Sequence, residues 1–186
     1  MDYRIFVEKR PEFRVEAESL RNDLNSNLGL DIKELRLFAV YDLFGFTPEL
    51  LEKTRWSVFG ETATDSICDS LDLSGTPHLA YEALPGQFDQ RAASARECVR
   101  LLQPDADVEI TAAKLITFDP TVTPADIEKV ARYCINAVES RRKNLDVLHL
   151  PERAHANPVK VLEGLREITP EKAQDYCREM GLAMNG

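Results

Sequence analysis

The chain of 186 residues repeats its own pattern of strands, prolines and helix starts at an offset near 75. The segment Thr47–Lys53 (Thr-Pro-Glu-Leu-Leu-Glu-Lys) recurs in similar form as Thr123–Lys129 (Thr-Pro-Ala-Asp-Ile-Glu-Lys), and Pro11 recurs as Pro85. The offset drifts from 74 at the first of these prolines to 76 at the Thr-Pro pair. Small insertions between two diverged copies would give this drift. Two such copies can bury one joint core and create a pseudo-twofold surface, which favours a scaffold over a catalyst.

Strands and helices are predicted to alternate in both copies. Alternating apolar residues indicate strands, and apolar residues at helical spacing indicate helices. The Thr-Pro pairs are typical helix starts, since the threonine hydroxyl can cap the helix and proline needs no hydrogen-bond acceptor there. The predicted order is strand 3–8, helix 14–28, strand 35–44, a helix from Pro48, a short strand at Asp65–Cys68, strand 78–84, helix 88–103, strand 107–118 and helix 124–136.

This order predicts an α+β fold of two tandem subdomains. Each is a ferredoxin-like β-α-β-α(-β) unit, and the two are related by pseudo-twofold symmetry. The predicted boundaries are 1–75 for the first subdomain, 76–146 for the second and 147–186 for a linker region. The repeat pattern is lost from about residue 137, and Thr169-Pro170 opens one helix in the linker region. The two sheets could join edge to edge or pack face to face, and the sequence leaves their register open.

Charge and apolar content narrow the classes of partner. The net charge of −9 disfavours a surface for nucleic acid or anionic membranes, because both need basic patches. The cluster Arg141–Lys143 is predicted to be a solvated surface. With no leader and no apolar run near 18 residues, a cytoplasmic protein is expected. Cys98, Cys134 and Cys177 fall on apolar helix faces and are predicted to be buried, reduced thiols.

Catalytic and cofactor motifs are absent from the sequence. There is no glycine-rich phosphate loop, and the three histidines lack metal-ligand spacing with a cysteine or carboxylate. No cysteine lies in a loop of the nucleophile type, and no pair of carboxylates stands out as an acid–base dyad. We therefore predict no catalytic, cofactor-binding or metal-binding residue in this chain.

One segment, Leu84–Arg91, differs between the copies, since the first copy has only Arg10–Phe13 there. A Pro-Gly turn lets the backbone approach another surface closely, and polar side chains follow at a helix start. Alternatively, this is a simple capped turn, with Asp89 as the cap and Phe88 as a staple into the core. The residues predicted to form a contact with a ligand or another domain are Pro85, Gly86, Gln87, Asp89, Gln90 and Arg91.

Four segments carry a resemblance to a known family. Arg4–Lys9, Tyr41–Gly45, Tyr81–Ala95 and Ile135–Arg141 resemble the N-terminal region of large, single-chain phosphoribosylformylglycinamidine synthase. That enzyme is an ATP-dependent glutamine amidotransferase of purine biosynthesis, which converts formylglycinamide ribonucleotide into the amidine. In many organisms this region is a separate small subunit, which dimerises and bridges the synthetase and glutaminase subunits.

The resemblance implies a bridging or scaffold domain whose partners are the synthetase and glutaminase domains. In the single-chain family the small-subunit dimer is fused as tandem copies, which matches the repeat. ATP, magnesium and the catalytic residues would belong to those other domains, so we expect this chain to be an inactive fragment. Surfaces that those domains cover would allow the isolated fragment to self-associate. The alternative is a metabolite-sensing module of paired ferredoxin-like units.

Overall fold

The computed structural model describes residues 2–148, residue 150 and residues 168–181. Within them the chain forms six strands and five α-helices, with a 3₁₀ turn after the first strand and a π-helical turn after the second helix. Their order is β1 (Tyr3–Lys9), 3₁₀ turn (Pro11–Phe13), α1 (Val15–Leu28), β2 (Leu35–Phe44), α2 (Pro48–Thr54), π turn (Arg55–Phe59), β3 (Asp65–Cys68), β4 (His78–Ala83), α3 (Gln90–Leu102), β5 (Glu109–Phe118), α4 (Pro124–Cys134), β6 (Ser140–Arg142) and α5 (Pro170–Glu179).

The strands form one antiparallel sheet in the order β3-β1-β2-β5-β4-β6. The fold is therefore α+β. The β-strands predicted for the two copies join edge to edge through β2 and β5, which pair along their whole length from Leu35↔Phe118 to Phe44↔Glu109. This pairing answers both points that the sequence left open, the packing of the sheets and the register of the second long strand.

The first four helices cover one face of the sheet. Alternate residues of the strands point to that face, and they divide into two apolar clusters. In one cluster α2 and α3 pack on the sheet through residues such as Leu51 and Val99. In the other, α1 and α4 do so through residues such as Leu24 and Val130. Each cluster thus combines one helix from each predicted subdomain.

The opposite face of the sheet is covered by loops. Its apolar centre consists of Phe6, Phe38, Val40, Ala80, Ala113 and Leu115. Leu71 and Leu73 from the β3–β4 connection and Leu145, which follows β6, pack against this centre. A network of buried charges around Asp42 lies on the same face and fastens the segment after β6, because Arg4 binds Asp42 and also donates to the carbonyls of Leu145 and Val147.

Predicted helix starts are confirmed in atomic detail. The Thr47 hydroxyl accepts a hydrogen bond from the Leu50 amide at the start of α2. At the start of α4 the Thr123 hydroxyl accepts from the Asp126 amide, and Asp126 accepts from the Thr123 amide in return, which completes a capping box. Both helices carry proline at their first position.

One strand that was left optional is present, and three predictions need correction. The optional last strand of predicted subdomain 76–146 is β6, which pairs with β4 at the sheet edge. Cys98 is exposed, because the buried stripe of α3 runs through Ala92, Ala95 and Val99 and leaves position 98 outside it. Val15, which helical spacing predicts to share an apolar stripe with Leu24, is 72% exposed and lies outside the core. Lys143, predicted to be solvated, is only 9% exposed and pairs with Asp42 and Glu82.

The chain divides into two compact units, residues 1–153 and residues 154–186. Both predicted subdomains lie in the first unit. The described part of the second unit contains α5, whose start at Thr169-Pro170 was predicted. Among the described helices, none is long and apolar enough to cross a membrane. Residues 151–167 of the predicted linker region lie outside the described residues.

Candidate functional site

The Leu84–Arg91 segment begins with a tight turn. The Gln87 amide donates to the Leu84 carbonyl at 3.0 Å, with Pro85 at the second position and Gly86 at the third. Gly86 has a φ of +89°, which is the conformation that a type II turn requires at its third residue. A Cβ on Gly86 would meet no atom within 4 Å, so the glycine is needed for its backbone angle and not for space.

The predicted cap is confirmed and the predicted staple is wrong. Asp89 accepts from the Ala92 amide at 3.0 Å and also from the Ala112 amide of β5 at 3.2 Å, so its carboxylate joins α3 to the sheet. Phe88 is 81% exposed and lies outside the core. A staple joins the residue before the cap to the fourth helical residue, which here is Ala93, and its methyl group is too small to hold a phenyl ring.

A cleft of about 590 Å³ opens beside this segment. Its walls come from β4 and β5, the start of α3, the end of α4 and the loop that precedes β6. Most of the predicted contact residues are found here. The cleft is lined by Tyr81, Glu82, Ala83, Gln87, Phe88, Asp89, Gln90, Arg91, Ala112, Ala113, Lys114, Cys134, Asn136, Glu139 and Ser140.

A smaller cavity of about 140 Å³ adjoins the cleft. It lies over β1 and β2 and is lined by residues around the start of α1, including Phe13 and Glu16, and by Phe59 of the π turn. Arg91 and Lys114 line both spaces and therefore stand where the two meet. We call the cleft and the cavity together the helix-side groove.

The two basic side chains of the groove differ in their pairing. The Lys114 Nζ lies 3.0 Å from Glu16 Oε1, and the two side chains are 42% and 66% exposed. Arg91 makes no ion pair with the described carboxylates, and its one hydrogen bond goes to the Tyr41 hydroxyl at 3.4 Å. Because 3.4 Å is beyond the usual length of such a bond, protein groups hold the guanidinium only weakly, and its exposed position leaves the other donors to solvent.

Burial shifts the pKa of two titratable groups in the cleft wall. It raises the pKa of Tyr81 to about 12 and raises the pKa of the Cys134 thiol. A thiol with a raised pKa is a poor nucleophile near neutral pH, since the thiolate is the reactive form. These two groups therefore suit a binding wall better than a reacting centre.

The structure places Gln87, Asp89, Gln90 and Arg91 on the cleft, while Pro85 and Gly86 form the exposed turn above it. The sequence did not identify Lys114, Tyr81, Asn136 or Ser140 as their neighbours. One signal for Lys114 was present, because it is the single charged residue among positions 110, 112, 114, 116 and 118, which face the helices. Tyr81, Asn136 and Ser140 could be located beside these residues only from the pairing of β4 with β5 and β6.

No three histidine, cysteine, aspartate or glutamate side chains of the described residues are placed to hold a metal ion. Searches against known protein families and against curated proteins gave no match to this chain.

Proposed function

We propose that this chain is a bridging domain of a phosphoribosylformylglycinamidine synthase and holds synthetase and glutaminase parts together. The observation that carries the proposal is the strand order β3-β1-β2-β5-β4-β6, which reads alike from both edges when β1, β2 and β3 are matched with β4, β5 and β6. A fused dimer of a small bridging subunit would produce this order, and the sequence resemblance points to the same family.

The pairing registers support the tandem, pseudo-twofold arrangement. In the first half Ile5 pairs with Tyr41, and in the second half Leu79 pairs with Ile116. At the edges Val7 pairs with Ile67, and Tyr81 pairs with Arg142. In both comparisons, each residue of the second half follows its counterpart in the first half by 74 or 75 positions, which is the offset of the sequence repeat.

The centre of the sheet fits the same relation. Ala39 and Lys114 are 75 positions apart in sequence and are direct partners across β2 and β5. A pseudo-twofold axis through the sheet would therefore pass beside this pair. The sheet is continuous across this centre, so the two halves would form a single rigid spacer of the kind that a bridging role needs.

The surface offered to a neighbouring domain is the turn Leu84–Arg91 with the loop beside it. Phe88 and Val138 are 81% and 73% exposed, and the Gln87 side chain donates to the Val138 carbonyl at 3.3 Å. Aromatic residues are enriched among the residues that anchor an interface, and Phe88 is the aromatic residue of this turn. We therefore place the contact with a neighbouring domain at this turn.

Capture tests the bridging role directly. The tagged 186-residue chain, mixed with separately produced synthetase and glutaminase parts of the same organism's enzyme, should retain both parts on an affinity resin. Retention of both, and recovery of glutamine-dependent amidine formation in the mixture, would support bridging. Retention of neither part would rule it out.

A point variant tests the contact surface. Phe88→Ser in the assembled enzyme is expected to lower glutamine-dependent activity roughly tenfold, because an aromatic anchor of an interface is lost, and to change ammonia-dependent activity much less. The readout is the ratio of the two activities.

Leu101→Ser is the matched control, because Leu101 is 80% exposed, apolar and located at the far end of α3. It should leave the ratio unchanged. Equal loss of both activities in the Phe88 variant, or the same change of ratio in both variants, would contradict the assignment of the contact to this turn.

A further inference from the structure

The helix-side groove has features of a small-molecule site, independently of any bridging role. Its cleft of about 590 Å³ lies within the range of roughly 300–1,000 Å³ that is usual for ligand pockets. Apolar surface comes from Tyr81, Phe88 and Ala112, and hydrogen-bonding groups come from glutamine, asparagine and serine side chains. Polar and charged residues make up more than half of this lining, so the cleft is more polar than most ligand pockets and suits a ligand that carries a charged group.

The charges of the groove favour an anion. Asp89 is occupied by two backbone amides, and Glu82 is occupied by Arg141 and Lys143. Arg91 has no carboxylate partner among the described residues. Glu16 and Asp89 act on its charge from a greater distance. The groove therefore holds one solvent-accessible guanidinium that makes no direct ion pair with the described residues.

Other carboxylates of the groove are paired or peripheral. Glu8 is bound by Arg14 and Arg36, and Asp65 by Lys9. Glu16 holds Lys114 in an exposed ion pair, which is weak enough for an incoming anion to replace. Glu139 lies on the cleft wall in an exposed position, among the residues that precede β6.

The two basic residues belong to the second half of the chain alone. Counted back by 75 positions, Arg91 corresponds to Glu16 and Lys114 to Ala39. The first half therefore offers no second guanidinium at the matching place. One site per chain is expected in a protein whose sheet is otherwise repeated.

We propose that the helix-side groove binds a small molecule with a carboxylate or phosphate group and an apolar or aromatic portion. Arg91 and Lys114 hold the anion where the cleft meets the smaller cavity, because guanidinium and ammonium donors form strong, charge-assisted hydrogen bonds to such oxygens. Phe88 and Tyr81 flank the apolar portion. The amides of Gln87, Gln90 and Asn136 orient the ligand.

Titration calorimetry with two probes tests the site and separates the two anions. Phenyl phosphate and phenylacetate share an aromatic ring and differ in the anionic group. One or both should bind the 186-residue chain with a stoichiometry of one and a Kd below about 1 mM, a modest affinity for one charge-assisted anchor with one ring. Added salt should weaken the binding. The probe with the lower Kd shows whether the site prefers a phosphate or a carboxylate group.

Variants decide whether the groove is responsible. Arg91→Gln should weaken binding at least about tenfold, because a charged donor is replaced by a neutral one. Arg100→Gln, on the same helix but outside both spaces, should leave binding unchanged. Lys114→Gln provides a second variant if circular dichroism shows that the Arg91 variant is unfolded. Absence of binding of both probes up to about 10 mM, or equal weakening by the Arg91 and Arg100 variants, would overturn the proposal.

Discussion

Asp42→Asn is expected to destabilise the protein by about 3 kcal/mol, because it removes the carboxylate of a buried charge network. Asp42 is 2% exposed, and its carboxylate binds Arg4 at 2.5 and 2.9 Å and Lys143 at 2.9 Å. Loss of one partner from a buried ion pair leaves the other charge without compensation in a poorly solvated place. Lys143 keeps Glu82 at 2.7 Å, which limits the loss to the lower end of the usual range.

Urea unfolding of the whole chain measures this effect. The matched control is Asp31→Asn, since Asp31 also pairs with a lysine, Lys33, but is 82% exposed. An exposed pair contributes less than about 1 kcal/mol, so the control should unfold close to the parent chain. Similar losses for the two variants would show that the Asp42 network does not stabilise the fold.

A double-mutant cycle separates pairing from burial. Arg4→Met removes the partner of Asp42, and the loss in the double variant should be smaller than the sum of the two single losses, since neither charge is then left alone. The network also holds the segment after β6, through the Leu145 and Val147 carbonyls that Arg4 binds. Amide exchange after residue 143 should therefore accelerate in the Asp42 variant, and not in the Asp31 variant.

Local chemistry made most of the secondary structure predictable. The run of β-formers at Leu35–Phe44 gave the bounds of β2 correctly, and the Thr-Pro pairs located the starts of α2, α4 and α5. The four-residue strand β3 was also predicted, with the bounds that the structure shows. In these elements the short-range preference and the tertiary environment agree.

The errors arose where tertiary contacts decide. Strand β6 spans three residues, too few to show an alternation, and it exists because its backbone pairs with β4. Lys143 follows two exposed arginines, so the sequence indicates a solvated cluster, yet its ammonium group lies 2.9 Å from the Asp42 carboxylate on the same face of the sheet. A charge 101 positions away in sequence cannot be found by any local pattern.

The candidate site was predicted only in part, because its other residues are brought together by tertiary contacts. The residue types of Pro85, Gly86 and Asp89 alone predict a turn followed by a helix cap. The cleft beside them needs Lys114 from β5 and Ser140 from the edge strand, and their proximity depends on registers that the sequence leaves open. The polar segment was therefore recognisable, while the groove it borders was not.

Gly45→Ala is the second variant with a large expected effect. Gly45 ends β2 with a φ of +75°, and a Cβ there would lie 2.7 Å from the carbonyl oxygen of Asp107. The left-handed conformation costs a non-glycine residue about 1–2 kcal/mol, and forced overlap in a packed region adds typically about 1–3 kcal/mol. The oxygen belongs to the backbone and cannot swing aside, so the overlap must displace the chain on one side.

The residues beside Gly45 and Asp107 belong to the core, so a backbone shift that removes the overlap would also disturb the core. Phe46 is 1% exposed and Val108 is 2% exposed, and both belong to the cluster under α2 and α3. Gly29→Ala is the matched control, because Gly29 has a φ of +63° and open space around its missing Cβ. Gly29→Ala should be destabilised only by the free energy that the left-handed conformation costs a non-glycine residue. Urea unfolding should therefore show a clearly larger loss for Gly45→Ala, and equal losses would mean that the Asp107 carbonyl yields without cost to the core.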